Sequence, residues 1–483
     1  MNIILYVCDA LRADHLTCYG YGRQTSPQLD ALAKDGVLFE NCFASSTWTR
    51  PSAASLLTGV YPAVHMTNAR RRVLPRHMTR LSEFLGRRGY RTGGFSTMAN
   101  VSSDVDFDYG FDVFHDLFRE PEIVARRQVR DLIVEDEIGG IGGAASVAIP
   151  HADDIHPFLF PWLLEHRHSP AFSFVWSIEP HAPYIPPTEF RPFSGSAGAD
   201  AREGWPEHLR RAGATDRQRL IDLYDDEIYY NDYCLGQLVA FLKQENLYDD
   251  TLLVVLGDHG EAFFEHRVYG HGFLPYDELI HVPLIMKLPY AQHAGARVGA
   301  LAELIDVFPT LLAIAGLTEN LPLTLQGHNL LPLIAGEATE VRSHVWSDTF
   351  SPDSSNQDHY LSVRTPDWKF IQVEKATGTG QRLMASWRRV WASGFRLGFG
   401  RILRHWRKNY GQRANIYLFD LQADPAEQNN VAGAHPEHVA RFQQLLAEWQ
   451  GRNAALATQL GSPTDQRQED EELRRQLEAL GYL

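Results

Sequence analysis

Over the first two thirds of the chain, short apolar runs alternate with longer stretches whose apolar residues recur at helical spacing. The runs are Ile3–Val7, Gly36–Ala44, Arg91–Ser96, Ala171–Ile178, Thr251–Gly257 and Val282–Leu288. They are continuous rather than alternating, which suits strands covered on both faces in a mainly parallel sheet. Between them lie "SPQLDALAKD", "RLSEFLGRRGY", the long "TDRQRLIDLYDDEIYYNDYCLGQLVAFLKQEN" and "ELIDVFPTLLAIAG". Each reads as a helix with one apolar face. The expectation is an α/β fold, a large mainly parallel sheet sandwiched by helices.

After about Gly336 the texture changes. The pieces "HVWSDTF", "HYLSVRT", "WKFIQVE" and "NIYLFDL" precede a helix over His435–Gln450. They predict a smaller C-terminal α+β subdomain of antiparallel strands. The division is therefore residues 1–335 for the large unit, 336–460 for the subdomain with an insert at 375–415, and 461–483 for a charged helical tail.

In parallel sheets, function gathers at the carboxyl ends of the strands. The first strand runs into Asp9, and the strand at 251–257 into Asp258-His259-Gly260-Glu261. The strand at 171–178 ends in "EPHAPYIPP", which carries His181, and a turn with Thr49 and Ser52 forms a fourth such end. An aspartate after a strand is more often a helix N-cap than a ligand. Four such ends on one sheet are harder to explain structurally. Two carboxylates and an imidazole suit a divalent cation, and a hydroxyl beside them would complete the sphere. His271 follows between two glycines, in "YGHGFLPYDE".

Those parts imply a chemistry. Contact with a dication acidifies a hydroxyl and turns it into a nucleophile. A helix starting near Pro51 offers free N–H groups to an anion. His181 and His271 are placed to protonate a leaving alcohol or to stabilise added negative charge. The set fits displacement at phosphorus or sulfur, with Thr49 as nucleophile and Ser52 as a capping or loop hydroxyl.

Composition narrows the field. A net charge of −15 gives no global attraction for a nucleic-acid backbone, so no nucleic-acid partner is expected. The four cysteines (Cys8, Cys18, Cys42, Cys234) lack metal-site spacing and read as reduced thiols in apolar surroundings. The first strand begins at once, without a basic leader, and no apolar run is long enough to span a bilayer. The expected location is cytoplasmic. Between Glu374 and Asp420 there is no acidic residue, and 382–413 interleaves nine Arg/Lys with Trp387, Trp391, Trp406, Phe395 and Phe399. That segment reads as a cover over the site mouth, as an interfacial stretch on an anionic membrane surface, or as a grip on an anionic substrate. The second reading would place the protein peripherally at the inner membrane surface. The composition is compatible with a homo-oligomer.

The chain resembles the sulfatase branch of the alkaline phosphatase superfamily. The likeness is carried by "DALRADHLTCYGY", "TRPSAASLLTGVYP", "EPHAPYIPP", "GDHGEAFFEHRVYGHGFLPYDELIHVPLI" and "YLFDLQADPAEQNNVA", in the family's order from residue 9 to 432. "GYRTGGFS" followed by "DYGFDVF" resembles the family's segment after the nucleophile helix. The resemblance implies an alkaline-phosphatase-like fold, metal ligands at Asp9, Asp258 and His259, and Thr49 at the nucleophile position beside the metal. It implies substrate and leaving-group roles for His181 and His271, and a substrate-binding place for Asn100; Arg50, next to Thr49, is a further substrate-binding candidate.

The departures bear on the substrate. Sulfatases carry a cysteine, or sometimes a serine, where Thr49 stands, and oxidise it to formylglycine. Their Cys/Ser-x-Pro-Ser-Arg pattern here reads Thr-Arg-Pro-Ser-Ala, so the aldehyde and its bracing arginine are both missing. The usual second acid after Asp9 is Ala10. A threonine ester must be resolved by water or an alcohol, as in the phosphatases and phosphoglycerol transferases that the chain also resembles. The expected substrate is a small, lipid-linked or sugar-linked anionic ester of the phosphodiester, phosphonate or phosphoglycerol type. One divalent ion is expected, Mn²⁺, Mg²⁺ or Ca²⁺ ahead of Zn²⁺. The rival readings are a sulfuric ester hydrolase without formylglycine and a non-catalytic anion-binding protein.

Overall fold

The apolar runs form strands where the pattern marks them. The strands are β1 (Asn2–Cys8), β2 (Val37–Phe43), β3 (Arg91–Ser96), β4 (Val113–Asp116), β5 (Gln128–Leu132), β6 (Ala145–Ala148), β7 (Ala171–Ser177), β8 (Thr251–Gly257), β9 (Ala262–Phe263), β10 (Tyr269–Gly270), β11 (His281–Lys287), β12 (Ala296–Glu303), β13 (Val345–Phe350), β14 (His359–Arg364), β15 (Trp368–Glu374) and β16 (Ile416–Asp420). The computed structural model describes residues 1–68, 72–132, 145–195, 216–322, 324–351, 358–375, 414–461 and 477. The basic aromatic segment 382–413 and all but residues 461 and 477 of the 461–483 tail lie outside that set. Among the described residues no helix is long and apolar enough to cross a membrane.

Eight strands form the large sheet in the order β12-β2-β11-β8-β1-β7-β3-β4. Pairs β1/β7, β1/β8, β3/β7, β3/β4 and β2/β12 are parallel, and β11 runs antiparallel to both β2 and β8. Every strand but β11 therefore points the same way. On β1, Ile3, Leu5 and Val7 pack into one apolar cluster while Ile4, Tyr6 and Cys8 pack into the other. Such a strand is apolar at every position because both its faces are covered. Helices α1 (Pro27–Asp35) and Arg217–Gln244 cover one face, and α2 (Thr49–Thr58) and Val307–Ile314 the other.

The apolar pattern did not mark β4 and β12, the two edges of the sheet. Their residues are half-exposed in part, so they lack a continuous apolar run. It also did not show the reversal of β11. Only the β9–β10 hairpin and a four-residue helix (Asp277–Ile280) separate β8 from β11. With no long helix to carry the chain across the sheet, β11 pairs antiparallel. Residues 258–280 thereby stay at the edge where Asp9 emerges.

The C-terminal sheet has the order β13-β14-β15-β16, antiparallel throughout. One face, with Trp346, Leu361, Val363, Phe370 and Leu418, meets Phe442, Leu446 and Trp449 of the last helix. That helix spans Pro436–Leu460, ten residues beyond the expected end. Tertiary contact carries it past Gly451: Leu456 and Leu460 pack against Val60, Val64 and Met78. All four cysteines are free thiols, with Cys8, Cys42 and Cys234 buried and Cys18 half-buried. Leu477 is buried in the main core.

Candidate metal and nucleophile site

Strand register assembles the first part of the site. Cys8 of β1 lies opposite Gly257 of β8 on one side and Ser177 of β7 on the other. One residue on, Asp9 and Asp258 leave adjacent strand ends together. Asp258, His259 and Asp9 are fully buried. Their ligand atoms lie within 4.8 Å of one another. Gly260 follows because the chain passes tightly under the next loop. A Cβ there would collide with the Glu278 carbonyl, and its N–H donates to the Leu279 carbonyl at 2.9 Å. Ala10 adopts the left-handed conformation (φ 61°). Its N–H donates to Asp258 Oδ1 at 3.0 Å, and its carbonyl accepts the Tyr224 hydroxyl at 2.6 Å.

Thr49 arrives from the other side. After β2 the chain crosses the sheet edge, and α2 begins at Thr49, with no side chain capping its N-terminus. At the far end Gly59 (φ 68°) closes the helix, its N–H donating to the Ser55 carbonyl at 2.8 Å. Thr49 Oγ1 stands 3.4 and 3.5 Å from the Asp9 carboxylate oxygens and 3.2 Å from His259 Nε2. Ser52 turns away, its Oγ donating to the Asp258 carbonyl at 2.5 Å, which is the loop-hydroxyl role expected of it.

The electrostatics are those of a cation site. Burial, then the neighbouring Asp258 and Glu261 charges, hold the Asp9 carboxyl well above its ordinary range, against the opposing Trp176 hydrogen bond. Burial pushes Asp258 up to about 8. Asp258 Oδ2 accepts no hydrogen bond from the described residues. Burial, followed by the proximity of His271, pushes His259 well below its usual value. His259 Nδ1 lies 2.8 Å from the Gly260 carbonyl, which can only accept. The proton is therefore on Nδ1 and the Nε2 lone pair faces Asp9 and Asp258. Two crowded carboxylates, one oxygen left without a donor and an aimed imidazole fit a divalent cation. Oxygen-dominated ligation suits Mn²⁺, Mg²⁺ or Ca²⁺.

The histidines close the site. The His271 ring centroid is 4.6 Å from that of His259 and 4.9 Å from that of His181. His181 Nδ1 is 2.5 Å from the Ala182 carbonyl, and burial followed by His271 pulls its pKa well down. Arg50 donates to Asn100 Oδ1 at 2.8 Å, both residues being buried, and Asn100 Nδ2 finds no acceptor among the described residues. The candidate site residues Asp9, Thr49, Arg50, Asn100, His181, Asp258, His259 and His271 thus lie on this sheet edge or on the α2 N-terminus beside it.

Two further residues serve the site: Glu261, which the sequence marks at a strand end without a role, and Trp176, which it does not mark. Glu261 accepts from His271 Nδ1 (3.1 Å) and from the Tyr184 hydroxyl (3.3 Å). The signal lay in the hairpin: Ala262 pairs with Gly270, so the next step outward sets Glu261 opposite His271. Trp176 donates from Nε1 to Asp9 Oδ2 at 2.9 Å. An inward-facing strand residue carries no such signal, because tryptophan there reads as core. A second cluster, His435, Glu437 and His438, is partly exposed at the N-terminus of the last helix. The positive end of the helix dipole opposes a cation there.

Compared with known proteins, residues 1–317 match the family model described as Sulfatase, and residues 264–381 the one described as N-sulphoglucosamine sulphohydrolase, C-terminal. The chain is 22% identical to an N-acetylgalactosamine-6-O-sulfatase of Bacteroides thetaiotaomicron, over 92% of each chain. It is 25% identical to the multifunctional alkaline phosphatase superfamily protein PehA of Trinickia caryophylli, over 93% of this chain and 95% of that protein. Among solved structures, the phosphonate monoester hydrolase of Agrobacterium radiobacter superposes with a TM-score of 0.68 at 21% identity, covering 94% of this chain and 96% of that one.

Proposed function

The chain belongs to the sulfatase family, a hydrolase branch of the alkaline phosphatase superfamily, and on that premise we propose that it acts on phosphate or phosphonate esters through Thr49. One observation carries the reading. The hydroxyl set at the Asp9–Asp258–His259 cluster belongs to a threonine, 3.2 Å from His259 Nε2. Threonine can carry an ester, but it is not the cysteine or serine that the family oxidises to an aldehyde.

Asp9, Asp258 and His259 would hold one divalent ion. Bound there, the ion would supply positive charge that acidifies a neighbouring hydroxyl and attracts an anionic ester. The residues of the chain do the rest. Thr49 Oγ1 gives up its proton to solvent and attacks phosphorus, the bond to the ester oxygen breaks, and the alcohol leaves with a proton from His271, whose ring Glu261 holds in place. Water then attacks the same phosphorus and passes a proton back to His271, the bond to Thr49 Oγ1 breaks with that oxygen taking up a proton from solvent, and the phosphate, phosphate monoester or phosphonate product departs. An acceptor alcohol in place of water would make the reaction a transfer. Arg50, Asn100 and the uncapped α2 N-terminus supply donors for the non-bridging oxygens.

A second reading is sulfuric ester hydrolysis, favoured by relatives that bear the name sulfatase. The relatives are divided, since PehA is named for the wider superfamily. A panel of nitrophenyl phosphate, a phosphodiester, a phosphonate monoester and a sulfate ester decides between them, run on Mn²⁺-loaded protein beside Thr49→Ala. Phosphorus-ester turnover that disappears in the variant supports the proposal. Turnover of the sulfate ester alone overturns it. Silence with metal bound favours an anion-binding protein.

A further inference from the structure

The motif "YLFDLQADPAEQNNVA" and the small sheet that bears it lie outside the catalytic set, yet they reach it. His271 sits in a loop whose two feet both end on Glu427, a residue of that motif. On the near side, His266 Nε2 is 3.1 Å from the Glu427 backbone carbonyl, and its ring stacks on Tyr276 with centroids 3.6 Å apart. On the far side, the Asp277 N–H donates to Glu427 Oε2 at 2.6 Å.

Lys369 of β15 ties the two acids together. Its Nζ lies 2.8 Å from Asp277 Oδ1 and 2.8 Å from Glu427 Oε1, with the lysine side chain fully buried. Arg364 of β14 adds a contact to Asp277 at 3.2 Å. Below this ionic layer, Leu274 and Tyr276 pack against Tyr360, Ile371, Val373, Phe419 and Leu421 of the small sheet. The loop is tied on its inner side as well: Glu265 pairs with Arg12 at 2.7 Å, the Gly272 N–H donates to the Thr47 carbonyl at 2.8 Å, and Thr47 Oγ1 to the Phe273 carbonyl at 3.0 Å.

We infer that Glu427, neutralised by Lys369, is a positioning residue for His271, so that the C-terminal sheet sets the angle at which the imidazole meets the substrate; the catalytic half of this inference rests on the function proposed above. Buried charge is an expensive way to fix a loop unless direction matters. Two carboxylates on one ammonium fix the distance and the direction of the far foot, and the Glu427 carbonyl holds the near one, whereas apolar packing alone leaves the loop free to slide. A displacement of about 1 Å at a catalytic group costs on the order of a hundredfold in rate.

The test uses the full chain with Mn²⁺, as Glu427→Gln and as Lys369→Met combined with Glu427→Gln. The paired variant leaves no lone buried ammonium, which guards against misfolding. Backbone hydrogen exchange reads the anchoring directly. Both variants are expected to exchange about tenfold faster or more over residues 264–280, with β8 unchanged. Unchanged exchange in the loop overturns the clamp. Kinetics read the consequence: kcat falls about tenfold or more, while KM and Mn²⁺ affinity stay within about twofold. In a His271→Ala background the same substitutions cost less than about twofold further. An equal loss in both backgrounds refutes action through His271. A wild-type protein silent on every ester refutes the proposed function instead, and the exchange experiment still decides the clamp.

Discussion

Thr49 Oγ1 stands 3.2 Å from His259 Nε2 and 3.4 Å from Asp9 Oδ1, at the first residue of a helix whose N-terminus has no side-chain cap. The N-cap position belongs to Trp48, and the Thr49 hydroxyl faces the Asp9 and His259 side chains. Thr49→Ala is therefore expected to keep the fold and metal affinity while losing on the order of a thousandfold or more in kcat/KM. Thr49→Ser keeps a hydroxyl and should retain measurable turnover. A covalent ester trapped on the peptide containing residue 49 by acid quench and mass spectrometry would identify the nucleophile. Equal activity in Thr49→Ala and wild type would dismiss it.

Asp258 offers a test in which stability and function move in opposite directions. Its Oδ1 accepts the Ala10 N–H, which an asparagine oxygen can still accept, and its Oδ2 accepts nothing among the described residues. Asp258→Asn thus replaces a buried ionisable carboxyl beside Asp9 with a neutral amide and keeps the acceptor for the Ala10 N–H. The metal-free variant should melt at or above the temperature of the metal-free wild type. It should also lose the gain that Mn²⁺ gives the wild type, about 2.7 kcal/mol at a hundredfold excess over Kd. Thermal scans with and without Mn²⁺ check both. A metal-free variant that melts well below wild type would mean that Asp258 serves the fold rather than a cation.

Trp176 bears on the same cluster from beneath. Its indole N–H donates to Asp9 Oδ2 at 2.9 Å, orienting that carboxylate. Trp176→Phe keeps an aromatic ring in the core and removes the donor. Mn²⁺ affinity, measured by titration calorimetry, is expected to fall about 10- to 100-fold. Unaltered affinity would show that the strand end alone orients Asp9.

How much of this was legible in the sequence depends on where each residue lies. Asp9, Asp258 and His259 follow continuous apolar strands, so the pattern that marks the strand also marks its end. Thr49 and His181 stand in turns punctuated by proline, which made them visible as loop residues with chemistry. Trp176 lies inside such a strand, where an apolar residue is the norm and its indole donor gives no sign. The link between Glu427 and His271 spans 156 positions and depends on how the small sheet docks, which no local spacing encodes. The extra length of the last helix was hidden by Gly451, and distant contacts from Leu456 and Leu460 carry the helix past it.

His359 makes the small sheet sensitive to pH. Burial draws its pKa down, but Asp348, 2.6 Å from Nε2, and Glu374, 3.1 Å from Nδ1, outweigh burial and push it up from 6.5 to about 9. The folded chain therefore keeps a proton that the unfolded chain gives up above pH 6.5. The stability from this group is complete below that pH and is lost as pH rises through about 9. The hydrogen bond from His359 in turn lowers Glu374 from 4.5 to about 2, so that acid's contribution is present above 4.5 and fades as pH falls toward 2. Wild type is expected to lose melting temperature between about pH 6.5 and 9, and His359→Gln, measured from pH 6 to 10, should lack that decline. Parallel curves for the two proteins would place the imidazole outside the pair of carboxylates in solution. The same decline should survive in Asp258→Asn, because the two clusters stand on different sheets and share no partner.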